Sequence, residues 1–309
     1  MAAFRAATAE QAAYLRDLLA KGLLVETGVP GVYGQGADFV EVRDAFTDAV
    51  TRAAAADHAE AMRFPPLLPR LQIETNGYLG SFPHLAGSVF SFEGSDADAL
   101  ELEARAGRHE DWSSFETMTD LVVLPAACYP VYPELAKRGP LPRGGATVDV
   151  GSSWVFRHEA SDDPARMQIF HMYELVRVGD PDDVADFRNS WLPRAVDLFR
   201  RLGLETNSEL ATDPFFGRVG RMLAANQRAQ ELKFELVATI GGPEPTAIAS
   251  FNYHQDHFTQ VYGIGIEGGG VAHTGCVAFG IERVTLALFR ANGLDLGAWP
   301  REVRAELWP

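Results

Sequence analysis

The stretch HTGCVAFGIERVTLALF, His273–Phe289, joins a glycine-containing segment to an apolar helical pattern. Apolar residues recur at helical spacing in its second half, which predicts a buried helix over 279–292 with Arg283 at its head. The start of a helix carries free backbone N–H groups and attracts anions, although a capped core helix with a solvated arginine would look the same. The first half predicts a tight glycine turn, yet it contains Cys276. The chain has one other cysteine, Cys128.

A second pattern lies about a hundred residues upstream, where TVDVGSSWVFRHE and MQIFHMYELVRVG alternate with period two around the charged run ASDDPAR. This arrangement predicts a long hairpin over 148–178. On a strand, Arg157 and Glu159 would share one face, because side chains alternate. A cation and a carboxylate aimed together suit a ligand with anionic and amino groups. The alternative is an exposed ion pair that contributes little.

The remaining patterns place helices early in the chain and hairpin-connected strands later. Helices are predicted at 6–23, 37–58, 182–203 and 213–233. Strands are predicted in KFELVATI, PTAIASFNY, FTQVYGIGIE and the apolar run DLVVLPAACYPVY, with a short strand in AEAMRFPPLLP that Pro65 and Pro66 stop. This order indicates an α+β fold around an antiparallel sheet.

Composition excludes several classes of protein. The 309 residues are 47% hydrophobic, but no run approaches 18 apolar residues, so no transmembrane helix and no membrane partner are expected. The amino-terminal stretch lacks the apolar core of a signal peptide, and two distant cysteines do not predict a disulfide framework, so we expect a cytoplasmic protein. A net charge of −15 argues against broad nucleic-acid binding, while still allowing a basic pocket for a nucleotide.

The hairpin motif and the motif at 280–283 are more specific together than either is alone. F-R-x-E on a long hairpin, followed by G-x-E-R at the head of a helix, resembles motifs 2 and 3 of class II aminoacyl-tRNA synthetases. Pro65 and Pro66 then correspond to motif 1, which forms the dimer in that family. The resemblance spans roughly 30–290 and is closest to the seryl type, because ASFNYHQDHF and LKFELV are similar to seryl-type strands.

This resemblance implies the fold and the domain organisation. We expect one class II synthetase-like catalytic domain over 1–309, with an antiparallel sheet of six to eight strands flanked by helices. Residues 1–60 would be N-terminal helices that lead into motif 1. The tRNA-binding arm of the seryl type is expected to be missing, because motif 1 begins almost at once.

Departures from the seryl pattern occur at substrate positions. Cys128 falls where the seryl type has the carboxylate that holds serine, and Cys276 and Ala278 replace two motif 3 glycines. Glu174 lies on the hairpin strand near the expected amino acid. Two thiolates and a carboxylate imply a zinc site with an open fourth position. Without the resemblance, two lone cysteines would be read as small buried hydrophobes.

This combination resembles the amino acid:[carrier protein] ligases, which are truncated seryl-type homologues with a Cys–Glu–Cys zinc site. The resemblance implies a homodimeric ligase that activates a small amino acid with ATP, glycine first and alanine second. The product would pass to the phosphopantetheine thiol of an acyl carrier protein, with no tRNA involved. One zinc ion per subunit would bind the substrate's amino group, and magnesium would accompany ATP. The alternatives are a seryl-type fragment that acts on tRNA and an inactive regulatory paralogue that binds ATP or zinc.

The same resemblance assigns roles around ATP. Arg157 would bridge the α-phosphate and the substrate carboxylate as the catalytic residue, and Glu159 would accept from the adenine amino group. Arg166 and Arg283 would hold the outer phosphates, and Tyr173 would stack on the base. Further candidates for the ATP site are Met167, Lys233, Ala249 and Ser250, with Glu235 a candidate for magnesium.

Three further patterns are weighed by their context. Arg218 and Arg221 share a face of the helix predicted at 213–233 and are candidates for docking an acidic carrier, the alternative being an ordinary solvated helix. GIGIEG at 263–268 fits a dinucleotide motif, but no helix follows it, so that interpretation fails. HQDH at 254–257 lies on a predicted loop and is not expected to bind metal.

Overall fold

The computed structural model describes residues 6–159 and 161–309; residues 1–5 and Ala160, which belong to the predicted domain, lie outside the described residues. The helices are α1 (Ala9–Ala20), α2 (Ala37–Ala54), α3 (Arg70–Thr75), α4 (Tyr78–Ser81), α5 (Asp96–Gly107), α6 (Val131–Ala136), α7 (Pro181–Arg201), α8 (Gly217–Ala229), α9 (His257–Tyr262), α10 (Ile281–Asn292) and α11 (Arg301–Leu307). The strands are β1 (Leu24–Glu26), β2 (Tyr33–Gln35), β3 (Glu60–Ala61), β4 (Leu67–Pro69), β5 (Ser88–Phe92), β6 (Glu116–Val123), β7 (Ala146–Phe156), β8 (Ile169–Gly179), β9 (Asn207–Leu210), β10 (Lys233–Ala238), β11 (Thr246–Gln255) and β12 (His273–Gly280).

The central sheet is the framework of the molecule. Within the two described ranges it has seven strands in the order β3-β7-β8-β12-β11-β10-β9, and β4-β6-β5 form a smaller sheet beside it. Neighbouring strands of the central sheet are antiparallel except for the edge pair β3 and β7. The prediction of an α+β fold on a sheet of six to eight strands is therefore confirmed, with one parallel pair at its edge.

Long helices cover one face of this sheet, and a second core together with a cavity occupies the other. Tyr173 and Leu175 of β8 point into a core shared with α2, α7 and α10, where Phe39 of α2 stacks on Phe289 of α10 at 6.0 Å. Met172 and Val176 of the same strand point into a second core on the opposite face. This alternation is the ordinary consequence of strand geometry. No helix in the described part of the chain is both long enough and apolar enough to span a membrane.

The predicted glycine turn before the final helix is wrong, because residues 273–280 form strand β12. Gly275 is needed there for close packing: a Cβ atom would lie 2.9 Å from the Asn252 carbonyl oxygen and 2.9 Å from Val184 Cγ1. The following helix begins at Ile281, as G-x-E-R predicted, but it is not the last one, since α11 follows it.

Other boundaries shift for identifiable reasons. FTQVYGIGIE is not a strand, because helix α9 places Phe258 and Tyr262 against the ring of Tyr132, at 4.2 and 6.4 Å between centroids. The helix expected at 213–233 is shorter, since the chain before Gly217 is extended and donates from the Phe216 amide to the Ser81 carbonyl. The contacts of the extended segment therefore stabilise the chain more than additional helical turns would.

The hairpin itself is confirmed, but its paired strand ends at Phe156. Arg157 still donates from its amide to the Gln168 carbonyl, whereas the Glu159 amide turns back to the Arg157 carbonyl at 2.7 Å. Arg157 and Glu159 therefore lie beyond the strand, and simple alternation does not explain why both face the cavity.

Candidate active site

A cavity of about 730 Å³ lies on the face of the central sheet that carries the second core. Strands β8, β10, β11 and β12 contribute to its lining, as do residues within 76–82 and helix α8. Its wall includes most of the predicted site residues: Cys128, Arg157, Glu159, Arg166, Glu174, Lys233, Glu235, Ala249, Ser250, Cys276 and Arg283.

The closed end of the cavity brings together three potential metal ligands from distant parts of the chain. One ligand atom each of Cys128, Glu174 and Cys276 lies within 4.8 Å of the others, and all three residues are buried. Glu174 on β8 and Cys276 on β12 point from the same face of the sheet, since the Glu174 partner in the register is Ala278, two residues from Cys276. Cys128 arrives from the loop that follows β6.

The protonation of this cluster is uneven. Hydrogen bonding from the Cys128 thiol holds the pKa of Cys276 well below its usual value, and the same bond holds the pKa of Cys128 well above it. Burial, reinforced by the negative charge of Cys276, raises the pKa of Glu174 to about 8. Before any cation binds, Cys276 is thus the first of the three groups to lose its proton, while Cys128 and Glu174 hold theirs to higher pH than isolated groups would.

Two side chains from β11 stabilise the Cys276 thiolate. Asn252 Nδ2 donates to Cys276 Sγ at 3.3 Å, and His254 Nε2 lies 3.7 Å from the same sulfur. Thr274 Oγ1 lies 3.1 Å from His254 Nδ1 and so orients the imidazole ring. The predicted loop at HQDH is wrong at this point, because His254 lies on β11 and faces the cysteine. The overlooked signal is the spacing of Ser250, Asn252 and His254, which puts all three on one strand face.

The opposite end of the cavity is cationic. Arg157 donates from Nε to the Pro125 carbonyl at 3.1 Å, and its guanidinium lies 5.9 Å from the ring centre of Phe170. Arg166 Nη1 pairs with Glu159 Oε2 at 3.2 Å. The cavity can therefore offer several guanidinium groups, together with an aromatic ring, to a planar anionic ligand.

Arg283 at the head of α10 is tied to the hairpin loop and to strand β11. It donates from Nε to the Ala165 carbonyl at 2.8 Å and from Nη1 to the Ala247 carbonyl at 3.1 Å. Burial and the nearby Arg166 charge lower the pKa of Arg283, although the charges of Glu159 and Glu235 act in the opposite direction. A buried arginine beside another arginine is stabilised by a bound anion.

Lys233 is less available for an anion than predicted. Its ammonium group is nearly buried and contacts Asp213 Oδ1 at 2.5 Å and Glu235 Oε1 at 3.1 Å. Burial lowers the pKa of Lys233, but the two carboxylates raise it more, so the net shift is upward. Sequence patterns did not indicate Asp213, because its partner lies 20 positions away.

Two predicted ATP residues do not reach the cavity. Tyr173 points through the sheet to the helical side, where its hydroxyl donates to Asp149 Oδ2 at 2.8 Å. Its neighbours Met172 and Glu174 face the cavity, so alternation requires Tyr173 to face away. Met167 is buried in the same helical core and does not border the cavity. On the same strand, Phe170 does border the cavity, beside Arg157.

The predicted docking residues lie outside the cavity on helix α8. Arg218 and Arg221 are exposed, and so are Val219 and Met222, each 69% exposed. Leu223 of the same helix borders the cavity mouth. The helix therefore carries a mixed basic and apolar surface directly beside the entrance.

Comparison with known proteins agrees with this geometry. No family model matches the chain. Amino acid–[acyl-carrier-protein] ligase 1 of Bradyrhizobium diazoefficiens is 46% identical over 298 residues, which cover 96% of this chain and 91% of that protein. Ligase 2 of the same organism is 44% identical over 289 residues, covering 93% of this chain and 86% of that protein.

Solved structures give the same fold. The seryl-tRNA synthetase of M. kandleri, in complex with A. aeolicus tRNASec, has a TM-score of 0.80 over 95% of this chain and 60% of that chain, at 18% identity. A serine-tRNA ligase from Naegleria fowleri in complex with AMP has a TM-score of 0.70 at 14% identity, covering 95% of this chain and 59% of that one. At these identities the likeness establishes the fold only.

The fold is that of a class II aminoacyl-tRNA synthetase catalytic domain, as the motifs predicted. The chain belongs to the family of amino acid–[acyl-carrier-protein] ligases, and it is a ligase.

Proposed function

We propose that this ligase activates a small amino acid with ATP as an aminoacyl-adenylate and transfers it to the phosphopantetheine thiol of a carrier protein. The observation that carries the proposal is one cavity with two chemically different ends. Cys128, Glu174 and Cys276 cluster at the closed end, and Arg157 and Arg283 lie at the other. The names of the two Bradyrhizobium relatives support the same activity.

The cationic end suits the adenylation step. The substrate carboxylate attacks the α-phosphorus and pyrophosphate leaves, so charge must be stabilised on both sides of that atom. Arg157 is proposed to contact the α-phosphate and the carboxylate, with Arg166 and Arg283 on the outer phosphates. Glu159 would accept from the adenine amino group, and Phe170 would stack on the ring. In the second step the carrier thiol attacks the carbonyl carbon, and AMP leaves.

The closed end fits zinc by its donor set. Two sulfurs and one carboxylate oxygen are ligands that zinc accepts, and the lowered pKa of Cys276 favours the thiolate that a cation requires. Cys128, Glu174 and Cys276 would hold the ion, one per subunit. Bound zinc would offer an open coordination position to the substrate's amino group, which distinguishes amino acids from plain acids. Asn252 and His254 would keep the Cys276 sulfur oriented.

The walls around this end favour a small substrate. Tyr129, Met172 and Phe258 border the cavity and pack in the same core as Cys128 and Cys276, and we propose that they limit the size of the substrate side chain. Glycine is therefore our first choice and alanine the second. Magnesium is proposed to accompany ATP with Glu235 as the candidate carboxylate, although Lys233 contacts that group at 3.1 Å.

Pyrophosphate exchange across the twenty amino acids, with and without a chelator, tests the activation step. We expect exchange with glycine or alanine that a chelator abolishes and zinc restores. Exchange that survives complete metal removal would reject the role of zinc. Absence of exchange in zinc-loaded protein would favour a regulatory paralogue, and transfer of label to tRNA instead of a phosphopantetheinylated carrier would favour a synthetase fragment.

Helix α8 is the proposed docking surface for the carrier. Arg218, Arg221 and Arg228 are exposed along one side of it, and Val219 and Met222 form an apolar stripe next to them. Carrier proteins are expected to be acidic, so a basic edge on this chain of net charge −15 would guide the encounter. The cavity mouth beside Leu223 would then receive the phosphopantetheine arm.

The Arg218→Glu, Arg221→Glu double variant tests this surface. It should raise KM for the carrier by at least about tenfold and leave pyrophosphate exchange unchanged, because only the protein encounter is altered. Arg301→Glu is the matched control, since this exposed arginine begins helix α11, away from the cavity mouth. Equal carrier KM values in the double variant and the control would rule out docking on α8.

A homodimer and a cytoplasmic location also remain proposals. The smaller sheet and its neighbouring helix expose Leu67, Leu71, Phe90 and Leu121, an apolar patch that a second copy would cover. Both cysteines are free and buried, in agreement with a reducing compartment. Sedimentation of wild type and of Leu71→Glu tests the dimer, because a buried charge at position 71 should separate the subunits.

A further inference from the structure

A buried carboxylate behind the cationic end is not used by the reaction described above. Asp163 lies in the loop of the β7–β8 hairpin and is 5% exposed, which is uncommon for aspartate. It lies behind the cavity wall and does not border the cavity itself. A carboxylate in such a position is retained only if its oxygens are well satisfied, so its partners indicate what it does.

One oxygen of Asp163 shapes the loop that carries the arginine contacts. Oδ1 accepts from the Ala165 amide at 3.0 Å, and the Asp163 carbonyl accepts from the Arg166 amide at 2.9 Å. The Ala165 carbonyl in turn accepts from Arg283 Nε at 2.8 Å. The same short turn therefore orients the peptide that holds Arg283 and the backbone from which Arg166 extends.

The other oxygen ties this turn to the amino-terminal helix. Gln11 Nε2 donates to Asp163 Oδ2 at 2.9 Å. The Gln11 amide has no freedom to reverse, because its Oε1 accepts from the Thr8 amide at 2.8 Å in the capping box of α1. Helix α1 is thus joined to the loop through the Gln11 side chain, whose oxygen accepts from Thr8 and whose nitrogen donates to Asp163.

Residues next to Gln11 restrict its movement further. A Cβ atom at Gly242 would lie 3.2 Å from Gln11 Cγ, and one at Gly241 would lie 3.4 Å from Gln11 Cα and Cγ. These glycines let the segment after β10 approach α1 closely. The donor to Asp163 is therefore held from two sides, by the helix cap and by this segment.

We propose that Asp163, held by Gln11, is a positioning residue that fixes Arg166 and Arg283 for the phosphates of ATP. This inference rests on the proposed function, since ATP is the ligand that these arginines are proposed to hold. Neither Asp163 nor Gln11 touches the substrate. They act by setting the loop, so that the arginines need not reorganise when the nucleotide binds.

Gln11→Glu removes the bond with little other change. Glutamate is the preferred partner in a capping box, so the cap with Thr8 is kept while a second carboxylate faces Asp163. The Kd for ATP measured by calorimetry and the KM for ATP should both rise about tenfold, with the KM for the amino acid unchanged. Thr8→Ala is the matched control: it weakens the helix cap and should lower Tm without changing the Kd for ATP.

The Gln11→Glu, Asp163→Asn double variant provides the rescue. The carboxylate introduced at position 11 can accept from the amide introduced at position 163, whose oxygen still accepts from the Ala165 amide. Kd for ATP should therefore recover part of the loss caused by Gln11→Glu. Asp163→Asn alone should weaken ATP binding more than the double variant, because two donors then face each other and Arg166 Nε, 3.8 Å from Asp163 Oδ2, loses its ion pair.

The outcomes separate the two proposals. Wild-type protein that does not bind ATP would overturn the proposed function and this inference with it. ATP binding by wild type, with the same Kd in Gln11→Glu, would overturn the positioning role alone. Equal losses of ATP affinity in Thr8→Ala and Gln11→Glu would assign the effect to helix stability and would also overturn it.

Discussion

The two ends of the cavity are built in different ways. At the closed end, Glu174 and Cys276 project from adjacent central strands, and their surroundings are buried. At the cationic end, Arg166 lies in the hairpin loop, and Arg283 is held by the Ala165 carbonyl of that loop and by the Ala247 carbonyl of β11. At the first end, two of the three ligands are positioned by the sheet itself, and the chemistry depends on proton occupancy. The second end depends more on where the hairpin loop lies, so the two should respond to different perturbations.

The largest expected effect is at the closed end. Cys276→Ala should lower metal affinity and amino-acid-dependent pyrophosphate exchange by more than about a hundredfold, because one of three ligands is lost. The Kd for ATP should change by less than about twofold, because Arg283 is untouched. Metal content by mass spectrometry and calorimetry measure the two quantities.

Val277→Ala is the control for Cys276→Ala, since its side chain points from β12 into the helical core. It should lower Tm through a cavity and retain the metal. Loss of ATP affinity in Cys276→Ala comparable to its loss of metal would show that the two ends are not independent.

Arg283→Ala should produce the converse result. We expect the Kd for ATP to rise about ten- to hundredfold, the range of 1.5–3 kcal/mol for hydrogen bonds to charged groups, with metal content unchanged. Arg290→Ala, on an exposed position of the same helix, should leave both quantities as in wild type. Reduced metal content in Arg283→Ala would contradict the separation of the two ends.

The pH dependence of metal affinity should reveal the proton occupancy of the closed end. Without metal, Glu174 has a pKa of about 8 and Cys128 a pKa well above its usual value, so both must lose protons to bind a cation. The Cys276 pKa is lowered, so Cys276 loses its proton before the other two groups do. In the range where Cys276 is ionised, apparent affinity should rise about a hundredfold per pH unit below pH 8 and about tenfold per unit above it.

Glu174→Gln supplies the comparison for this profile. Removing the carboxyl group should weaken metal binding and abolish the change of slope near pH 8, leaving only the proton of Cys128. A wild-type profile with no change of slope between pH 6 and 9 would mean that Glu174 binds the metal without losing a proton, contrary to its burial.

The smallest expected effect distinguishes two aromatic residues on one strand. Phe170→Ala should raise the Kd for ATP about fivefold or more, since stacking of a base on an aromatic ring contributes about 1–3 kcal/mol. Tyr173→Leu, which removes the ring, should leave the Kd for ATP unchanged and lower Tm, because this side chain packs in the helical core and donates to Asp149 there. An increase in Kd for Tyr173→Leu without one for Phe170→Ala would restore the base-stacking role first expected of Tyr173.

These two residues also show where sequence reasoning ends. Period-two alternation predicted strand β8, and it predicted that Tyr173 and Glu174 face opposite sides. Alternation does not say which side of the sheet holds the cavity. It does exclude that both Tyr173 and Glu174 face the cavity, so the prediction that placed both in the site was inconsistent with the strand. His254 could have been found by extending the same alternation from Ser250 along β11. Helix α9, in contrast, depends on the ring of Tyr132, more than a hundred positions away, and has no local signal that excludes a strand.

The sequence by itself determined the class II fold, the ligase family and the types of group available: two thiols, a carboxylate and arginines in recognisable motifs. Only the tertiary structure decided which groups meet and in what state. The pKa of Cys276 is lowered because Cys128, Asn252 and His254 surround it, and the pKa of Glu174 is raised because Glu174 is buried beside Cys276. The link from Gln11 to Asp163 spans 152 positions. A local sequence pattern predicts which residues share a face of a helix or strand. Burial and contacts between distant segments arise only when these elements pack.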